Sequence, residues 1–146
     1  MKITPLSEDS IAYVIDHISA VDLEEMDRLG EALYGLHQMF KSMIGRPFTG
    51  VFCDDEGRYC SLLALEPVGS FRWRAHMISV DGSFGRIGRS MTRFLARMAR
   101  QFTADTRGSI EILSPPICER ISSWLEAMGF RAQRQDNGLI LYVCGR

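Results

Sequence analysis

Between Phe71 and Phe102 the apolar residues change period. FRWRAHMISV reads as a strand. From Arg86 onward Ile87, Met91, Phe94, Leu95, Met98 and Phe102 recur three and four apart, the spacing of one buried helix face. The change falls within SVDGSFGRIGRS, Ser79 to Ser90, where Gly85 and Gly88 mark a strand handing over to a helix. A chain that makes this switch belongs to the folds in which helices cover a sheet. The stretch also raises a chemical question: whether it holds a phosphate or only turns the chain.

The remaining elements follow from the same kind of pattern. KITPL reads as a first strand. Ser7 is placed to cap a helix carrying Ile11, Val14, Ile15 and Ile18 on one face. A second helix is expected from near Asp22, with Leu23, Met26, Leu29, Leu33, Leu36, Phe40 and Met43 on its buried face. Gly30 and Gly35 weaken it enough to break it in two, and Gly45-Arg46-Pro47 ends it. FTGVFC and RYCSLLALE flank DDEG as a hairpin, and PVGS reads as the next turn. After the long helix, SIEIL is a strand. Ser114 and Pro115 suit the start of a helix with Ile117, Ile121, Trp124, Leu125 and Met128 inward, stopped by Gly129. RAQRQ and LILYVC close a hairpin over Asp136-Asn137-Gly138. The order β-α-α-β-β-β-α-β-α-β-β predicts an α/β or α+β domain spanning 1–146, with a mixed sheet flanked by helices.

Composition bounds what such a domain does. Hydrophobic residues make up 46% and charged residues 24%, ordinary for a soluble protein. No apolar run reaches the ~20 residues of a membrane span, and MKITPLSEDS lacks the apolar core of a secretory signal. A cytoplasmic protein is expected. The net charge is −1, yet residues 1–66 carry twelve acids and five bases, and residues 67–146 six acids and twelve bases. Arg86, Arg89, Arg93, Arg97 and Arg100 form a stripe on the long helix. It reads as a solvated face balanced by the acidic first half, or as a surface for an anionic protein partner. The near-zero net charge and the lack of an aromatic-interleaved basic motif argue against nucleic acid. Cys53, Cys60, Cys118 and Cys144 form no CxxC pair, so no metal site is expected. A hairpin turning at Glu56-Gly57 would set Cys53 opposite Cys60, either as a disulfide or as packed thiols.

The element order resembles the GNAT acetyltransferase fold, a mostly antiparallel mixed sheet with flanking helices. Ile78-Ser79-Val80-Asp81-Gly82-Ser83-Phe84-Gly85-Arg86-Ile87-Gly88-Arg89-Ser90 falls on the family's hydrophobic-x-Val-x-Pro-x-Tyr-Arg-Gly-x-Gly-x-Gly/Ala stretch. Cys118 to Phe130, CERISSWLEAMGF, falls on its Asn-x-x-Ala-x-x-Phe-Tyr-x-x-x-Gly-Phe. The resemblance implies acetyl-CoA as cofactor. Its pyrophosphate would lie on backbone N–H groups of Gly85, Arg86, Ile87, Gly88, Arg89 and Ser90, and a strand N–H among Ile78, Ser79 and Val80 would hold the oxyanion. Here the chain departs from the pattern: only the middle glycine is kept, as Gly88. Arg86 stands for a glycine, Ser90 for the last Gly or Ala, and Gly85 for Gln or Arg. The family's tyrosine acid is replaced by Leu125, and its asparagine by Cys118. The remaining candidates for a base are His76, since histidine is the side-chain type suited to proton transfer near neutral pH, and Glu111 on the following strand.

A narrower resemblance is to phage-encoded GNAT-like proteins, the podovirus internal virion protein A group. It rests on His17, Asp22, Glu25 and Met26 in an early His-x-x-x-x-Asp-x-x-Glu-hydrophobic pattern. Ser123, Trp124, Leu125, Met128, Gly129 and Phe130 match a late one. That likeness implies a virion assembly or structural factor with a protein partner, in the host cytoplasm or the virion, with little or no acetyl transfer. The alternative is an active acetyl-CoA-dependent N-acetyltransferase acting on an amine.

Overall fold

The computed structural model describes residues 1–115 and 119–145. Its elements are β1 (Lys2–Thr4), α1 (Glu8–Asp16), α2 (Ala20–Leu29), α3 (Leu33–Ser42), β2 (Thr49–Cys53), β3 (Tyr59–Gly69), β4 (Arg72–Ser79), α4 (Ser83–Thr106), β5 (Ser109–Ser114), α5 (Glu119–Ala127), β6 (Arg131–Asp136) and β7 (Leu139–Gly145). The strands form a seven-stranded mixed sheet in the order β1-β2-β3-β4-β5-β7-β6. The β4–β5 pair is parallel, while β1–β2, β2–β3, β5–β7 and β6–β7 are antiparallel. The expected order holds, with the second helix divided in two. Gly30 ends α2 at φ 70, a left-handed conformation that favours glycine.

Contacts gather the described chain into two compact units. The first comprises residues 1–65 and 76–91. Ser7 caps α1 in a reciprocal box with Ser10, each side-chain oxygen taking the other's backbone N–H at 3.0 and 3.2 Å. Ile11, Val14 and Ile15 thereby face a core with Met26, Leu36, Phe40, Val51, Leu62 and Ile78. The face expected of α2 and α3 is only partly buried: Met26, Leu36, Phe40 and Met43 are inside, whereas Leu23 and Leu33 are each 42% exposed. The break at Gly30 resets the helical phase, so one stripe cannot run through both helices. The β2–β3 turn is built by Asp54. Its Oδ1 accepts from the Glu56 and Arg58 N–H groups at 3.0 Å each, and its Oδ2 from Arg58 Nε at 2.7 Å. A bulge after Phe52 sets Cys53 opposite Tyr59 rather than Cys60. Both cysteines are free and buried.

The second unit comprises residues 66–75 and 92–145. PVG continues β3, and the turn falls at Ser70-Phe71, with Phe71 at φ 57. Phe71 O accepts from Ser109 N–H at 2.9 Å, which starts the pairing of Arg72–Arg74 with Ser109–Glu111. Trp73 meets Phe102 edge-on, ring centroids 4.7 Å apart. Asn137 and Gly138 both take positive φ, 50 and 74, as the tight turn between β6 and β7 requires. Ser114 is the last residue of β5, so the helix cap expected there lies in a strand; α5 starts at Glu119. Leu125 and Met128 are buried, and Trp124 Nε1 donates to Thr92 Oγ1 at 2.8 Å. Ile117 and Cys118 lie outside the described residues.

Candidate acyl-binding strand end and helix head

The handover from β4 to α4 is tighter than the sequence suggests. It takes three residues, Val80 to Gly82, with Gly82 at φ 76. The turn is fixed from below. Val80 N–H donates to Cys60 O at 2.9 Å, Ser83 Oγ donates to the same oxygen at 2.8 Å, and Ser83 N–H reaches Val80 O at 3.2 Å. Gly85, Arg86, Ile87, Gly88, Arg89 and Ser90 are therefore not a loop but the first two turns of α4. Ile87 is buried and anchors them, while Gly85, Arg86, Arg89 and Ser90 are exposed.

Neither helical glycine is demanded by packing. A Cβ at Gly85 would meet nothing within 4 Å, and one at Gly88 would make an ordinary 3.4 Å contact with Phe84 Cδ1. Each glycine costs the helix about 1 kcal/mol relative to alanine. The head of α4 thus carries two positions without a side chain at a cost that its own packing does not explain. It has the positive end of the helix dipole and two exposed guanidinium side chains beside it. Those features suit an anionic group such as a phosphate.

The strand end just before this head is fully engaged. Ser79 N–H donates to Asp22 Oδ2 at 2.7 Å, Ser79 O accepts from Ser19 N–H at 2.8 Å, and Ser79 Oγ shares a 2.7 Å hydrogen bond with Ser61 Oγ. Ile18 and Val80 complete an antiparallel bridge. Ser19 caps α2 by accepting from Asp22 N–H at 3.1 Å, and this cap aims the Asp22 carboxylate at the strand. Burial pushes the Asp22 carboxyl up from its ordinary range. The hydrogen bonds from Ser79 and Ser19 oppose this and Asp81 adds to it, and the net shift is upward. Of the expected strand donors, Ser79 and Val80 are already bonded within the protein.

The two candidate bases fall in different units. His76 lies on β4, half-buried, at a groove of about 210 Å³ that Glu31, Ala32, Gly35, Leu36 and Met39 complete. Ser79 lies three positions further along β4, about 10 Å away. Glu111 is 4% exposed on β5. Its Oε1 accepts from Arg74 Nη2 at 2.6 Å and Nε at 3.1 Å, and its Oε2 from Arg72 Nη2 at 3.2 Å. Burial alone would raise this carboxyl, but Arg74 and Arg72 hold it below the ordinary range, which weakens it as a base. The five α4 arginines are exposed and form no ion pair among the described residues.

The early motif residues have structural partners as well. His17 Nδ1 lies 2.8 Å from Tyr13 O, and its ring stacks on Tyr13 at 4.2 Å. Asp22 is the residue whose importance at this site sequence reasoning missed. The signal was Ser19-Ala20-Val21-Asp22, a capping-box spacing ahead of a helix. A capping box would turn the carboxylate back to its own N-cap N–H, but here both groups turn to Ser79.

No protein-family model matches the sequence, and no curated protein matches it. Solved structures do match. A spermidine N-acetyltransferase SpeG chimera from Vibrio cholerae and hSSAT superposes with TM-score 0.68 over 99% of this chain and 96% of that one, at 10% identity. The chain has the GNAT fold. A GNAT-family acetyltransferase from Listeria monocytogenes gives TM-score 0.63 at 15% identity, covering 99% of this chain and 94% of that one. The dodecameric spermidine N-acetyltransferase of Vibrio cholerae gives 0.65 at 11%, covering 99% and 92%. Among the described residues, no helix of this GNAT-fold chain is long and apolar enough to cross a membrane.

Proposed function

We propose that this chain binds acetyl-CoA at the end of β4 and the head of α4 and transfers the acetyl group to an amine. The observation that carries the reading is the glycine-bare head of α4, where Gly85 and Gly88 serve no packing need. When bound, acetyl-CoA would supply the thioester that the amine attacks, its C–S bond breaking to release CoA thiolate, which takes its proton from water. The head of α4 would receive its phosphates at the positive end of the helix, with Arg86 and Arg89 adding charge. The N–H groups of Ile87 to Ser90 lie within the helix ladder, and that of Gly85 donates to Gly82 O at 3.1 Å. His76 takes the amine proton, and a β4 N–H holds the charge that develops on the acyl oxygen. The groove beside His76 is apolar with one carboxylate, Glu31, and receives the acceptor. The test is calorimetric titration with acetyl-CoA beside Gly88→Trp, followed by an amine screen that begins with polyamines. Micromolar binding abolished by the substitution supports the reading; no binding up to millimolar ligand rejects it.

A second reading is favoured by one specific observation, the Ser79 N–H already bound to Asp22. In it the GNAT fold is a scaffold for a protein partner, as in phage virion assembly, and transfers nothing. Buried Leu125, in place of the family's tyrosine, agrees with it. Failure to bind acetyl-CoA together with co-purification of one stoichiometric partner would establish it.

A further inference from the structure

We propose that Asp22 is a built-in competitor for the acyl oxygen: its carboxylate occupies the Ser79 N–H that the thioester carbonyl needs, so acyl recognition requires α2 to release the strand. The inference rests on the acetyl-CoA reading and adds a regulator to that site.

Strand geometry carries the first step. Val80 N–H faces β3, since it donates to Cys60 O. N–H groups alternate along a strand, so that of Ser79 points to the opposite edge of β4. The registered pairs with β5 are Arg72, Trp73 and Arg74, five residues before that point. Ser79 N–H is therefore an edge donor beside the head of α4, where a carbonyl bound next to the phosphate cradle would be received. Asp22 Oδ2 takes it at 2.7 Å, a charge-assisted bond and a stronger one than a neutral carbonyl forms.

The second step is that the contact is built as a removable piece. The α2 head meets this edge through local contacts: Ser19 N–H on Ser79 O, the Ile18–Val80 bridge and the Asp22 carboxylate. The neighbouring side chains are mostly outside the core, with Val21 47% and Leu23 42% exposed. Met26 is the one buried residue of α2. Ile18 and Val80 pack against the core and stay in place, so the release is confined to the first turn of α2, whose Val21 and Leu23 uncover little apolar surface.

The experiment compares acetyl-CoA with free CoA, which lacks the acyl carbonyl, by calorimetry on the full chain and on Asp22→Ala and Asp22→Asn. In the unsubstituted protein the two ligands are expected to bind alike, because the carbonyl finds its donor taken. In Asp22→Ala acetyl-CoA should bind about tenfold more tightly than CoA, the worth of one hydrogen bond. Asp22→Asn, a weaker acceptor of the same shape, should give about threefold. Amide exchange at Ser79 gives a readout without ligand and should accelerate in both variants. If every form binds CoA but none prefers the acetylated ligand, the competitor role is rejected and the cofactor reading stands. If no form binds either ligand, both fall. Should Asp22→Ala not fold, an unchanged ligand ratio in Asp22→Asn overturns the proposal.

Discussion

Asp22 Oδ2 lies 2.7 Å from the backbone nitrogen of Ser79, joining the first turn of α2 to the last residue of β4. The strand end is thereby held by three groups: the carboxylate on the N–H, Ser19 on the carbonyl and Ser61 on the hydroxyl. The arrangement leaves Ser79 no group for a ligand while α2 stays in place.

The burial of Asp22 makes stability depend on pH with a defined sign. Burial raises the Asp22 carboxyl in the folded chain, helped by Asp81 and opposed by Ser79 and Ser19. The folded state then holds the proton more tightly than the unfolded state. Its contribution is favourable at low pH and is lost as pH rises from the ordinary carboxylate range through the raised folded value. Urea unfolding of the protein and of Asp22→Asn across that range isolates it. The stability of the protein minus that of the variant should fall with rising pH; a rise would contradict the direction of the shift.

Glu111 has the opposite sign. Burial would raise it, but Arg74 and Arg72 hold it low, so its stabilisation is present above the unfolded value and is lost as pH falls through the folded one. Glu111→Gln should cost about 2 kcal/mol near neutrality, because charge-assisted bonds from two guanidinium groups lose their charged acceptor. The cost should shrink as pH drops into the acid range. Denaturant melts at neutral and acidic pH check both statements.

How much of this was legible follows from where the determining interactions lie. The Ser7 cap, and the turn at Asn137 and Gly138, are local signals set within a few residues, and the sequence reads them correctly; the reciprocal bond from Ser10 was not read. The hairpin at Asp54 was legible as a turn but not in register. The bulge after Phe52 depends on how one carboxylate distributes three hydrogen bonds, and composition does not reveal that. The buried face of α2 and α3 was overread, because a left-handed residue at Gly30 breaks the phase that a periodicity count assumes. Asp22 illustrates the hardest case. Its spacing from Ser19 announces a helix cap, but its partner is 57 residues away, and only the folded sheet brings Ser79 to it.

Gly85 and Gly88 give a prediction in which stability and binding move in opposite directions. Neither position is crowded, so Gly85→Ala and Gly88→Ala should each stabilise the protein by about 0.5–1 kcal/mol through the helix backbone. A methyl group on the bare face should at the same time weaken acetyl-CoA binding. Thermal melts and calorimetry on the same samples decide the matter. Stabilisation with unchanged affinity would remove these glycines from the binding surface.

His76 and Glu111 separate cleanly as bases under substitution. His76 borders a groove that opens to solvent, whereas both Glu111 oxygens are covered by Arg72 and Arg74. A base must reach the acceptor nitrogen and must be basic enough to take its proton, and a carboxylate shifted down by two guanidinium groups fails on the second count. Given an amine that turns over, His76→Ala should lower kcat by about 10²-fold or more, in line with the loss of a general base. Its affinity for acetyl-CoA should be unchanged, since the α4 head begins beyond Ser79, itself about 10 Å further along the strand. Glu111→Gln, assayed below its melting temperature, should retain kcat within a few-fold. Steady-state kinetics on both variants tests the assignment, and a larger kcat loss in Glu111→Gln than in His76→Ala would reverse it.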